Sequence, residues 1–148
     1  MIQIRRSAVV RHAPQQMFDL VNDVEAYPTR FTWCANAEVV SREADSLTAR
    51  LDLRFAGIVQ SFTTRNTMNP PERLQLDLVD GPFRRLHGDW TFAALGEAGC
   101  RIALELEFEY AGRFGGMVLR LGFQNLGNRM VDDFCRVADR VYGAAHGA

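Results

Sequence analysis

Ile2, Ile4, Ala8 and Val10 alternate with Gln3, Arg5, Ser7 and Arg11. Period two puts the first set on one face and predicts a strand over 2–11 with one buried side. Arg6 falls on the apolar face. It is expected at a sheet edge beside an acidic partner, because a buried, unpaired guanidinium costs several kcal/mol. The period then changes. After Pro14, a residue suited to the first turn of a helix, Met17, Leu20, Val21 and Val24 follow at i, i+3, i+4 and i+7, the spacing of one helix face. Asp23 is placed to cap a second short helix. That helix should stop at Tyr27, because the residue before a proline, here Pro28, is pushed out of the α region. Phe31 and Trp33 then lie on the loop after it.

Six further strands are predicted between turn signals. Residues 36–42 carry Ala37 and Val39, and 46–55 set Leu47, Ala49, Leu51, Leu53 and Phe55 against Thr48, Arg50, Asp52 and Arg54. Beyond Gly57, residues 58–68 carry Ile58, Phe62 and Met68, and 73–79 carry Leu74, Leu76 and Leu78. Residues 84–94 place Leu86, Gly88, Trp90 and Phe92 on one face, and 101–110 do the same with Ile102, Leu104, Leu106, Phe108 and Tyr110. Such alternation means an antiparallel sheet with one wet face. Its apolar face needs a cover, and residues 112–142 are the one segment long enough. Leu126, Met130, Phe134, Val137 and Val141 repeat there at helical spacing. If helical throughout, the segment reaches about 45 Å. Gly115, Gly116, Gly122 and Gly127 each weaken its first half by about 1 kcal/mol relative to alanine, which is expected to permit a bend or a movable lid. The pattern gives an α+β fold: one antiparallel sheet of about seven strands wrapped around a long C-terminal helix, with two short helices after the first strand.

Composition narrows the function. The chain has 148 residues and a formal net charge of −1, which points to a single domain over 1–148 and gives no polybasic arm for DNA. All 17 basic residues are arginine, interspersed with Asp and Glu. Cys34, Cys100 and Cys135 are odd in number and scattered, as suits reduced thiols. No CxxC or Cys/His cluster suggests a metal. With no run of eighteen apolar residues and no signal-peptide pattern, a cytoplasmic protein is expected. His12 is placed at a strand end, His87 on the wet face and His146 in the tail, so no catalytic constellation assembles. No catalytic residue, metal or cofactor is expected.

The segments "LVNDVEAYP", "LTARLDLRFAGI", "SFTTRNTMNPPERL", "LVDGPF" and "NRMVDDF", in this order, resemble the START-like, helix-grip family. That family includes coenzyme Q-binding proteins and the RatA-type ribosome association toxins of bacteria. The resemblance covers about residues 3–142 and implies a helix-grip fold with an internal hydrophobic tunnel. It implies a non-catalytic binder of ubiquinone or another polyprenyl lipid, supporting respiration. The alternative it implies is a toxin that binds the large ribosomal subunit and blocks subunit joining; a third is a polyketide cyclase or aromatase.

For a quinone or lipid, the expected lining is Phe55, Phe62, Leu76, Trp90, Phe108, Phe114, Met117, Val118 and Leu121, with Tyr27, Phe31 and Trp33 around the mouth. Tyr27, Trp33 and Arg6 are candidates for its polar headgroup. For the ribosome, the candidate phosphate contacts are Arg65, Arg84, Arg85, Arg113 and Arg120. The apolar run at 113–123, flanked by arginines, is a candidate for transient contact with the inner membrane.

Overall fold

The structure is a computed structural model and describes residues 1–97, 99–111 and 116–143. Seven strands form one sheet: β1 (Ile2–Val10), β2 (Cys34–Arg42), β3 (Ser46–Phe55), β4 (Ile58–Asn69), β5 (Arg73–Asp80), β6 (Phe83–Leu95) and β7 (Gly99–Tyr110). Their order is β1-β7-β6-β5-β4-β3-β2, and every neighbouring pair is antiparallel. Strands β2 to β7 form a meander, and β1 closes beside β7. Two helices, α1 (Pro14–Asn22) and α2 (Tyr27–Arg30), follow β1, and the long α3 (Gly116–Tyr142) lies across the apolar face.

The period-two pattern explains the sheet. Leu47, Ala49, Leu53 and Phe55 of β3, Leu86, Trp90 and Phe92 of β6, and Ile102, Leu104, Leu106 and Phe108 of β7 are all buried. The opposite face carries cross-strand ion pairs such as Arg73 Nε donating to Asp89 Oδ1 at 2.8 Å, each of small worth in water. At the β3–β4 turn, Ala56 (φ 54°) and Gly57 (φ 77°) both take positive φ, the geometry that a two-residue turn needs to match strand twist.

Several expectations are corrected. Pro28 sits inside the first turn of α2, and Tyr27 starts that helix instead of ending one. A 3-10 turn, Val24–Ala26, leads directly into it, and a proline in a first turn removes no helical hydrogen bond. Arg6 is exposed and meets an amide, not an acid: its Nε donates to Asn128 Oδ1 at 3.1 Å. His12 is buried, its Nε2 lying 2.7 Å from Asp139 Oδ1. Val141 is exposed. Gly122 and Gly127 of α3 serve close approach, whereas a Cβ on Gly116 would meet nothing. A Cβ on Gly122 would lie 3.0 Å from Ala56 Cβ, and one on Gly127 would lie 2.6 Å from Ile4 Cδ1. The helix therefore presses its backbone onto the β3–β4 turn and onto β1. The expected Gly115 lies outside the described residues.

Candidate functional site

Two aromatic residues of α3 organise the interior. Phe134 meets Phe31 at 4.7 Å, Trp90 at 5.2 Å and Tyr27 at 5.5 Å between ring centroids. Phe31 stacks on Trp33 at 4.5 Å. Three turns earlier, Phe123 meets Phe108 at 4.8 Å, Phe83 at 4.9 Å and Phe55 at 5.7 Å. Such edge-on pairs add about 0.5–1.5 kcal/mol each beyond their burial.

Between the two clusters lies a cavity of about 60 Å³, bounded by α3 at Phe123, Met130 and Phe134 and by the sheet at Phe62, Leu76, Leu86, Trp90 and Leu106. Typical ligand sites hold roughly 300–1,000 Å³. This space takes a handful of waters or a very small molecule, not a prenyl chain.

The expected lining divides accordingly. Tyr27, Trp33, Phe62, Leu76 and Trp90 do face the cavity. Phe31, Phe55 and Phe108 are buried in the aromatic clusters on either side of it. Met117, Val118 and Leu121 are exposed at 65%, 61% and 48%; the helix turns them to solvent and takes Phe123 inward. Phe114 lies outside the described residues, as does Arg113.

The mouth expected at Tyr27, Phe31 and Trp33 is a plug. Tyr27 Oη donates to Val21 O, and Trp33 Nε1 donates to Asp133 Oδ2 at 2.9 Å, so neither donor is free for a headgroup carbonyl. Burial first, then the neighbouring Cys34 and Asp23, pushes the Tyr27 phenol upward and keeps it neutral. Burial also pushes the Cys34 and Cys135 thiols up to about 11. Neither is a thiolate at neutral pH, so neither is an activated nucleophile.

One polar pair was missed in the sequence. Thr64 and Asn66 are each 4% exposed and form part of the cavity wall. Thr64 Oγ1 donates to Asn66 Oδ1 at 2.7 Å. The signal was the strand period itself, since Phe62, Thr64 and Asn66 are spaced by two and share one face.

A second concavity, about 260 Å³, lies on the outer flank of α3. Arg30 at the end of α2 and Arg129, Arg136 and Arg140 of α3 line it, with Asp133 and Trp33 beside them. Their signal was also in the sequence: positions 129, 133, 136 and 140 fall within a stripe of about 60° at 3.6 residues per turn. Of the cations first considered for the ribosome, the described ones lie apart from this groove, Arg65 on β4, Arg84 and Arg85 on β6 and Arg120 on α3. Arg65 pairs with Glu43 at 3.8 Å and Arg84 with Glu109 at 3.9 Å. Arg85 is exposed on β6, and Arg120 is exposed on α3. Among the described residues no cluster of His, Cys, Asp and Glu could hold a metal ion, and no helix is long and apolar enough to cross a membrane.

The sequence model of the family described as "Polyketide cyclase / dehydrase and lipid transport" matches residues 10–135. The ribosome association toxin RatA of Pseudomonas aeruginosa is 41% identical over 140 residues, covering 95% of this chain and 97% of that protein. A Xenopus laevis coenzyme Q-binding protein COQ10 homolog B is more distant, 26% identical over 147 residues, covering 96% of this chain and 60% of that one. Among solved structures, the Zhui aromatase/cyclase of a Streptomyces species superposes with a TM-score of 0.83 at 16% identity, covering 99% of both chains. At that identity the likeness concerns the fold.

Proposed function

The chain belongs to the polyketide cyclase / dehydrase and lipid transport family, and from that premise we propose that it acts as a ribosome association toxin, binding the large ribosomal subunit and preventing its joining with the small one. The observation that carries this reading is the 41% identity to a RatA toxin over nearly the full length of both proteins. It favours the alternative over the quinone carrier that the family resemblance also implied. The small plugged interior supports the same ordering, since a polyprenyl carrier needs more room than about 60 Å³.

The test is overexpression in the host followed by sucrose-gradient sedimentation. Free subunits should accumulate, joined ribosomes should decline, and the protein should travel with the large subunit. An unchanged profile with no co-sedimentation removes the reading.

A second reading is a hydrophobic ligand in the cavity, and the Thr64–Asn66 pair in its wall favours it. Such a ligand would be apolar with one hydrogen-bonding group. Organic extraction of purified protein followed by mass spectrometry tests this; an extract without a stoichiometric small molecule rejects it. We further propose that the protein is not a catalyst. Among the described residues lining the cavity, Tyr27 is the sole Asp, Glu, His, Cys, Lys, Arg or Tyr, and its phenol stays neutral. Unchanged polyketide precursors after incubation are the expected result, and conversion abolished by a single substitution would reverse it.

A further inference from the structure

Net charge is −1 for the whole chain, yet the two flanks of α3 differ. The flank facing β1 balances Asp132 and Asp139 against Arg11 and Arg136. The flank facing α2 is a groove lined by four arginines, Arg30, Arg129, Arg136 and Arg140, against the single carboxylate of Asp133. That carboxylate is already engaged: one oxygen accepts from Trp33 Nε1 and the other pairs with Arg136. Among the described residues, Arg129 and Arg140 make no ion pair, whereas Arg65 and Arg84 on the sheet do. A concave surface with a strong excess of one sign concentrates counter-ions more strongly than isolated surface charges.

The groove is also held in shape. Arg54 Nη1 donates to Thr32 O at 3.1 Å, and Arg54 N donates to Trp33 O at 2.8 Å, tying the loop after α2 to β3. Arg30 is oriented by Asp23 at 3.4 Å. Guanidinium groups on a rigid frame suit phosphate oxygens, which they bind as planar forks. The neighbouring Trp33 is 4% exposed, so it offers no face on which a base could stack. Contacts in such a groove are to phosphate and not to bases, and they set position without reading sequence.

We infer that the groove between α2 and α3 binds the phosphate backbone of ribosomal RNA in the large subunit, with Arg129, Arg136 and Arg140 as its main contacts. The inference rests on the ribosome reading for its partner, and on the groove itself for its chemistry.

The test uses the full chain and three probes: purified large subunits, protein-free large-subunit RNA, and vesicles of phosphatidylglycerol with phosphatidylethanolamine. Neutralising three to four phosphates predicts that wild-type affinity for subunits falls roughly 20- to 150-fold between about 50 and 200 mM salt. Arg129→Gln/Arg136→Gln/Arg140→Gln should bind subunits at least about tenfold more weakly and reduce the log–log salt slope by about 2–3. Arg129→Gln/Arg140→Gln leaves the Arg136–Asp133 pair intact and should show most of the loss, with its melting curve confirming the fold. Arg65→Gln/Arg84→Gln should remain within about twofold of wild type, as substitution away from the phosphate contacts predicts.

If the groove variants bind subunits like wild type, the inference is overturned while the ribosome reading stands. Binding of free RNA through these arginines without binding of subunits keeps the groove as an RNA site and sinks the ribosome reading. Binding of neither overturns both. Binding of vesicles alone overturns the inference in favour of a membrane surface.

Discussion

Thr64 and Asn66 stand where the pattern of β4 calls for apolar residues, and burial there is favourable only while they bond to each other. Thr64→Val alone leaves Asn66 Oδ1 buried without its donor. That should cost about 1–3 kcal/mol, because an orphaned polar group keeps its desolvation penalty. Replacing both, as Thr64→Val/Asn66→Leu, removes the penalty and should restore or exceed wild-type stability. Denaturant melts of the two variants and of Asn66→Leu complete the cycle. A double variant whose loss equals the sum of the two single losses would show that the pair has no private coupling. The spacing of this wall was legible by period, but the burial of its polar residues was not, since an outward Thr and an inward Thr look alike in a sequence.

At the scale of elements, α3 grips the sheet through Phe123 and Phe134, one in each aromatic cluster. Phe134 touches Tyr27, Phe31 and Trp90 at once and is 1% exposed. Phe134→Ala should lower stability by about 3–5 kcal/mol, the usual cost of emptying a buried phenyl site, and should free the plug formed by α2 and its loop. Chemical denaturation with tryptophan fluorescence will report both, since Trp33 and Trp90 are the chain's 2 tryptophans and both touch this cluster. A loss below about 1 kcal/mol would contradict the central role given to Phe134, which predicts a large cavity-forming cost. The sequence placed Phe134 on the buried helical face correctly. It read the glycines of the same helix as looseness, because helix propensity records what glycine costs and not what a neighbouring backbone gains by coming close.

For the whole molecule, buried thiols link stability to alkaline pH. Cys34 and Cys135 have an ordinary value of 9.0 raised to about 11 by burial. In the unfolded chain these thiols lose protons as pH passes about 9, while the folded protein holds them. Their stabilising contribution is therefore complete below pH 9.0 and is lost as pH rises through about 11. The melting temperature should fall across that window, and Cys34→Ala/Cys135→Ala should flatten the decline, whatever it does to stability at neutral pH. Equal slopes for the two proteins would assign the alkaline loss to other groups, such as the buried Tyr27 phenol, whose upward shift has the same sign.

The alternation of Leu47 to Phe55, Leu86 to Phe92 and Ile102 to Phe108, and the helical spacing of Leu126, Phe134 and Val137, determined the elements, their inner faces and the layer arrangement. They could do so because a strand or helix face is set by local geometry that repeats along the chain. Whether the aromatics Tyr27, Phe31 and Trp33 open a mouth or close a plug was decided by Phe134, about a hundred residues away. Only docking of α3 on the sheet fixes how much space remains between them. The same docking put Met117, Val118 and Leu121 in solvent, and it gathered Arg30 with Arg129, Arg136 and Arg140 around one groove. Cavity size and charge clustering depend on distances between elements, and those follow from packing across the core, not from any period in the sequence.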